Sequence, residues 1–173
     1  VSRCWCSWPA GGVVADRAPE AFGVSARTRY EANVCLLLRR AGRWLLTVRA
    51  AHVAYAPGMI GLVGGHVEPV AGAGVFETTA RREAREETGL ELADVPLHYL
   101  SSELYRGPED QPVLTVTYAA ELPAGVEPRL ADPDELTAIG WWTLDELRAA
   151  GNCSPWVPPL VAAAAELLDG LSR

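Results

Sequence analysis

Apolar and polar positions divide the chain into a short series of elements. Ala32 to Arg40 (ANVCLLLRR) and Arg43 to Arg49 (RWLLTVR) are strand-like segments joined at Ala41-Gly42, which predicts a β-hairpin. Ala50 to Gly58 reads as a loop, and Met59 to Val63 as an apolar strand entering a turn at Gly64-Gly65. Good helix formers then predict a helix from about Phe76 to Thr88, with Gly89 suited to a left-handed stop. Val95 to Tyr105 and Val113 to Ala120 predict an antiparallel pair around the turn Arg106 to Pro112. Glu121 to Thr137 is polar and broken by proline, hence a long loop, and Ile139 to Trp142 is a short strand. Trp141 and Trp142 should face opposite sides of that strand. Thr143 and Glu146 form a capping-box pattern opening a helix to about Ala150. An apolar stretch to Leu171 predicts a closing helix, with Pro155 and Pro159 confined to its entry and first turn. Strands and helices in this order predict an α/β fold, a mixed sheet with helices on its faces.

At 173 residues and 49% hydrophobic content, one domain with a sizeable core is expected. Residues 1 to about 29 show no sustained period and read as an extension, leaving residues 30–173 as the domain. Trp5 and Trp8 in the extension are better read as packing on an apolar surface than as a contact with substrate or with a second copy in a homodimer. The cysteines, Cys4, Cys6, Cys35 and Cys153, form neither a disulfide framework nor a zinc pattern, which fits reduced thiols in a cytoplasm. No apolar run reaches the length of about 18 residues that a membrane helix needs, and no secretion-signal core opens the sequence. The formal charge of −7 argues against coating a nucleic-acid polymer, which requires Lys and Arg on phosphates. An acidic protein that takes a polyanion needs a bridging metal.

The stretch Gly64 to Leu90 offers such a bridge. Residues three and four apart share a helix face, so Glu83, Glu86 and Glu87 should project from one stripe. Carboxylates at that density suit a hard divalent cation, Mg²⁺ or Mn²⁺, that shares phosphate oxygens with a substrate. Arg82 stands four residues before Glu86 and can orient it. A solvated surface helix laced with Glu and Arg pairs is the plainer reading of such a charge run. The preceding strand and glycines favour a site.

These residues resemble the signature of the Nudix hydrolases: a glycine, five residues, Glu, seven residues, Arg-Glu, an aliphatic, one residue, Glu-Glu, one residue, Gly, an aliphatic. Arg82, Glu83, Glu86, Glu87, Gly89 and Leu90 match in spacing, with Ala84 in the aliphatic slot and Gly65 in the place of the first glycine. The middle departs from the pattern: residues 66–81 are three too many, and Ala71 or Gly74 falls where the first glutamate belongs. Of the nearby acids Glu68 and Glu77, Glu77 lies about 120° round the helix from Glu83.

The resemblance implies an α/β/α sandwich over roughly residues 30–172 and a metal-dependent hydrolase that splits a diphosphate linkage in a small nucleotide. It implies metal ligands at Glu83, Glu86, Glu87 and the carbonyl of Gly65, with Glu86, Glu87 and Arg82 also serving catalysis. Nudix enzymes draw a general base from a signature glutamate or a later loop. Glu121, at a strand end, is the first candidate here, ahead of Glu109 and Glu135. His52, Tyr55 and one of the paired tryptophans are candidates to touch a nucleoside, and the group attached to the diphosphate stays open. The altered loop leaves a second reading, a Nudix fold that binds a nucleotide or partner without cleaving it. A diphosphate isomerase has no supporting residue.

Overall fold

The computed structural model describes residues 29–68 and 72–173. The expected extension therefore lies outside the described residues apart from Arg29, as do Trp5, Trp8, Cys4, Cys6 and residues 69–71 of the altered loop. Seven strands and three helices follow in order: β1 Glu31–Arg40, β2 Arg43–Arg49, β3 Ile60–Gly61, β4 Val63–His66, α1 Val75–Thr88, β5 His98–Arg106, β6 Pro112–Glu121, β7 Leu136–Trp142, α2 Leu144–Ala149 and α3 Val157–Leu171.

β1 is the axis of the sheet. One edge runs parallel to β6 from Glu31↔Val113 to Arg39↔Glu121. The other edge is shared, antiparallel to β4 over Asn33 to Leu36 and to β2 over Leu38 to Arg40. β2 continues to β3 and β7, and β5 pairs with β6 as an outer strand. The sheet is thus mixed, as expected. Asn33 to Leu38 are all buried, and a strand covered on both faces needs no polar alternation, so its apolar run is unbroken.

Parity along β1 divides the core. Val34, Leu36 and Leu38 pack with Ala80 and Ala84 of α1 and with Leu90 and Leu92. Cys35 and Leu37 pack with Val157, Val161, Ala164 and Leu168 of α3. One helix therefore covers each face, which makes the α/β/α sandwich. Leu36, Leu37 and Leu38 are fully buried, each stabilising the fold by roughly 1.5–3 kcal/mol relative to exposure.

The local signals read from the sequence act as physical devices. Gly89 adopts φ 66°, and the Gly89 and Leu90 N–H groups close back on the Arg85 and Ala84 carbonyls. Thr143 Oγ1 accepts from Glu146 N at 3.2 Å while Glu146 Oε2 accepts from Thr143 N at 2.7 Å, completing the capping box. α3 carries proline at its second position, where no helical N–H is lost.

Three expectations are corrected. The strand expected over Met59 to Val63 is two strands, because the chain leaves β2 after Gly61 and joins β1 at Val63. Gly64 and Gly65 are consequently inside β4, paired with Cys35 and Val34, and do not form the turn. β7 also begins three residues before the expected Ile139, at Leu136, because β2 supplies ladder partners from Val48 onward.

Candidate active site

α1 buries Thr79, Ala80, Glu83, Ala84, Glu87 and Thr88, a face four residues in period that includes two carboxylates. Glu83 and Glu87, one turn apart, are each only 2% exposed. They lie against β4: Gly64 N donates to Glu87 Oε2 at 3.3 Å, and a Cβ placed on Gly65 would stand 2.8 Å from Glu83 Oε2. Glycine at residue 65 is required for this close approach of strand and carboxylate. Glu86 is off that face, its side chain 39% exposed. The expected single stripe is thus two buried acids and one at the margin.

Arg82 ties the cluster together. Its Nη2 donates to Glu83 Oε1 at 2.6 Å and to the His66 carbonyl at 3.1 Å, and its Nη1 donates to Glu86 Oε2 at 2.8 Å. Glu68 reaches the same guanidinium at 3.9 Å from an exposed position. At Glu83 this guanidinium does not offset the burial and the neighbouring acids. Burial pushes the Glu83 carboxyl up to about 7; Arg82 opposes the rise, and the charges of Glu86 and Glu135 add to it.

Glu135 joins the site through the long loop between β6 and β7. Arg129 N and Ala131 N donate to the Thr88 and Glu87 carbonyls, satisfying two acceptors that the end of α1 leaves open. Arg129 also covers Gly89, where a Cβ would lie 2.8 Å from its Nε. Asp132 Oδ1 accepts from Glu135 N at 3.1 Å, and Ala50 N donates to the Glu135 carbonyl at 2.8 Å. The loop is therefore strapped to α1, with Glu135 close enough for its charge to act on Glu83.

The structure does not bring Glu121 to the site. Glu121 Oε2 accepts from Arg39 Nε at 2.6 Å, and Arg39 also holds Asp169 of α3 at 2.6 Å. Arg39 shares the parity of Cys35 and Leu37, so this pair is on the α3 face, opposite α1. Along β1 it is five residues from the Val34↔Gly65 pairing, about 17 Å at the usual strand rise. Glu109 is exposed in the β5–β6 turn. Burial pushes the Tyr118 phenol up to about 12 and the neighbouring Glu77 carboxylate adds to the rise, so Glu77 is engaged with Tyr118 and does not replace the missing signature acid.

His52 is exposed in the β2–β3 loop, and Tyr55 is half-buried, its carbonyl accepting from Arg49 Nε at 2.8 Å. Trp141 and Trp142 face opposite sides, as expected: Trp142 packs on the α3-side core and Trp141 on the α1-side core. The Arg40 guanidinium caps Trp141, 4.3 Å from the ring centroid, and also bonds the Val126 carbonyl and Glu127, fixing the front of the same strapped loop.

The donors fit a hard divalent ion in kind. Two buried carboxylates, a third at the margin and a glycine backbone carbonyl are oxygen donors of the kind such an ion takes. Among the described residues, no three acids, histidines or cysteines are grouped closely enough to hold an ion as they stand. Arg82 occupies the space between Glu83 and Glu86.

Comparison with known proteins identifies the family and the fold. The NUDIX domain family matches residues 28–164. The NAD-capped RNA hydrolase NudC of Mycobacterium tuberculosis is 35% identical over 133 residues, covering 72% of this chain and 36% of that protein. This chain thus spans about a third of that relative's length. A MutT NUDIX hydrolase from Burkholderia pseudomallei superposes with a TM-score of 0.64 at 26% identity over 78% of this chain and 98% of the other. The NUDIX domain of Shewanella oneidensis NrtR, solved with ADP ribose, gives a TM-score of 0.66 at 20% identity, over 83% and 91% of the two chains, a likeness of fold alone.

Proposed function

We propose, from the premise that this chain belongs to the Nudix hydrolase family, that it is a divalent-metal-dependent hydrolase of nucleoside diphosphates linked to a second group. The observation that carries the reading is the pair of buried carboxylates, Glu83 and Glu87, pressed onto the glycine backbone of β4, with the Glu83 carboxyl pushed up by burial.

In this reading Glu83, Glu86 and Glu87, with the Gly65 carbonyl, hold Mg²⁺ or Mn²⁺. When bound, the ion supplies charge neutralisation at the diphosphate and lowers the pKa of water. Arg82 orients Glu83 and Glu86 through its two bonded nitrogens. Glu135 is the general base of choice in place of Glu121, because the strapped loop brings its charge to Glu83. The β4 backbone and the α1 carboxylates exclude bulk water from one side of the site, strengthening each electrostatic contact there.

The name of the NudC relative introduces a dinucleotide-capped RNA as substrate for that protein, at odds with the sequence expectation of no nucleic-acid polymer. A small dinucleotide of NAD type and ADP-ribose are accordingly the first substrates to assay. Phosphorylated product is measured with and without Mg²⁺ or Mn²⁺ across these, nucleoside triphosphates and nucleotide sugars. Metal-dependent turnover that falls in Glu86→Gln is expected; no turnover of any substrate at high enzyme concentration refutes the reading.

A second reading, a nucleotide-binding module without cleavage, draws on the Arg82 clasp on Glu83 and Glu86 and on the missing signature glutamate. Calorimetric binding of ADP-ribose alongside zero product would select it.

A further inference from the structure

On the face of the sheet covered by α3, β5 and the first half of that helix enclose a cleft of about 160 Å³. Leu100, Trp156, Pro159 and Leu160 form its apolar walls, and Ser101 and Glu103 its polar side. Adjacent strand residues normally face opposite ways; the register shift between Tyr99 and Ser101 lets both Leu100 and Ser101 line the cleft. An apolar cavity of about this size holds one benzene ring.

Glu103 is out of place in such a setting. The Ser101 hydroxyl donates to its Oε1 at 3.3 Å, and among the described residues no arginine or histidine forms an ion pair with it. Burial pushes its carboxyl up, opposed only by that hydroxyl. A half-buried carboxylate against apolar walls is costly without a matching charge, and a bound cation removes the cost. The Trp156 ring adds an aromatic surface of the kind that attracts organic cations.

We propose that the cleft between β5 and α3 is a binding site for a small organic ammonium ion, its apolar body against Leu100, Trp156, Pro159 and Leu160 and its N–H group on Glu103. The site is on the opposite face of the sheet from Glu83 and Glu87 and stands independently of the hydrolase reading.

Benzylamine is the probe and benzyl alcohol its uncharged match, titrated by NMR on the whole chain at about pH 8, where free carboxyls are ionised. Benzylamine binds about tenfold more tightly than the alcohol if a charge-assisted bond to Glu103 forms. Glu103→Gln removes that preference and leaves the alcohol unchanged. Ala163→Leu, at the exposed rim of the cleft, weakens both probes. Shifts remote from β5 report that each variant is folded. Equal affinity for the two probes, unchanged benzylamine binding in Glu103→Gln, or no shifts at the cleft with either probe overturns the proposal.

Discussion

Replacing Glu83 by glutamine makes the metal-free protein more stable at alkaline pH than the native chain. The carboxyl stands at about 7 in the fold against an ordinary 4.5, so the folded state binds its proton more tightly than the unfolded chain does. Its contribution is fully present below pH 4.5 and is lost as the pH rises through 7. A rise of this size corresponds to about 3 kcal/mol, at about 1.4 kcal/mol per pH unit. Glutamine keeps an acceptor for Arg82 Nη2 but no longer has to ionise. For a domain of this size that energy is equivalent to about 6–12 °C in melting midpoint. Thermal melts in EDTA at steps between about pH 5 and 8.5 should show the variant drawing ahead of the native protein as pH increases. Returning Mg²⁺ or Mn²⁺ at the alkaline end should raise the native midpoint more than that of the variant, since ligand binding to the folded state adds stability. A difference that is flat across the range, or a native protein that gains on the variant with pH, refutes the assignment of Glu83 as an acid whose carboxyl is raised by burial.

Three further outcomes are expected. Gly65→Ala drives a methyl group into the Glu83 carboxylate and should cost about 1–3 kcal/mol in urea unfolding, with turnover reduced at least tenfold. Glu135→Gln should lower kcat by about 10²–10⁴-fold with little change in melting temperature, whereas Glu121→Gln, on the α3 face, should leave kcat within about twofold; the reverse order would return Glu121 to the chemistry. Thr143→Ala removes the cap of α2 and should cost about 1 kcal/mol by chemical denaturation, without altering substrate KM.

What was legible in the sequence was local. The alternation around Ala41-Gly42, the glycine after Thr88 and the spacing of Thr143 and Glu146 each specify a backbone device within a few residues, and each is present. The Arg82 to Leu90 spacing likewise fixed which acids share a helix. What was illegible depends on partners distant in sequence. Nothing within Met59 to Val63 shows that the chain changes neighbours at Leu62, because the change is defined by β1 and β2 together. Glu121 reads as a strand-end acid, yet its face is set by its register against Arg39, 82 residues away. Glu135 gains its place only because backbone N–H groups of a loop without a regular pattern find the open carbonyls of α1. The acids Asp132, Asp134 and Glu135 just before β7 were the available signal, without the fold-back that singles out the last.

The parallel pairing of β1 with β6 bears on how the chain reaches its native state. β1 is apolar toward both helices, and the neighbour along its entire length is a segment some eighty residues later. At about 5–20 residues per second, ribosomal synthesis leaves that strand waiting roughly 4–16 seconds before Pro112–Glu121 emerges. During that interval the backbone edge of β1 that β6 later pairs is open to other nascent chains, so the yield of native protein should depend on chaperone capacity and growth temperature more steeply than its final stability would indicate.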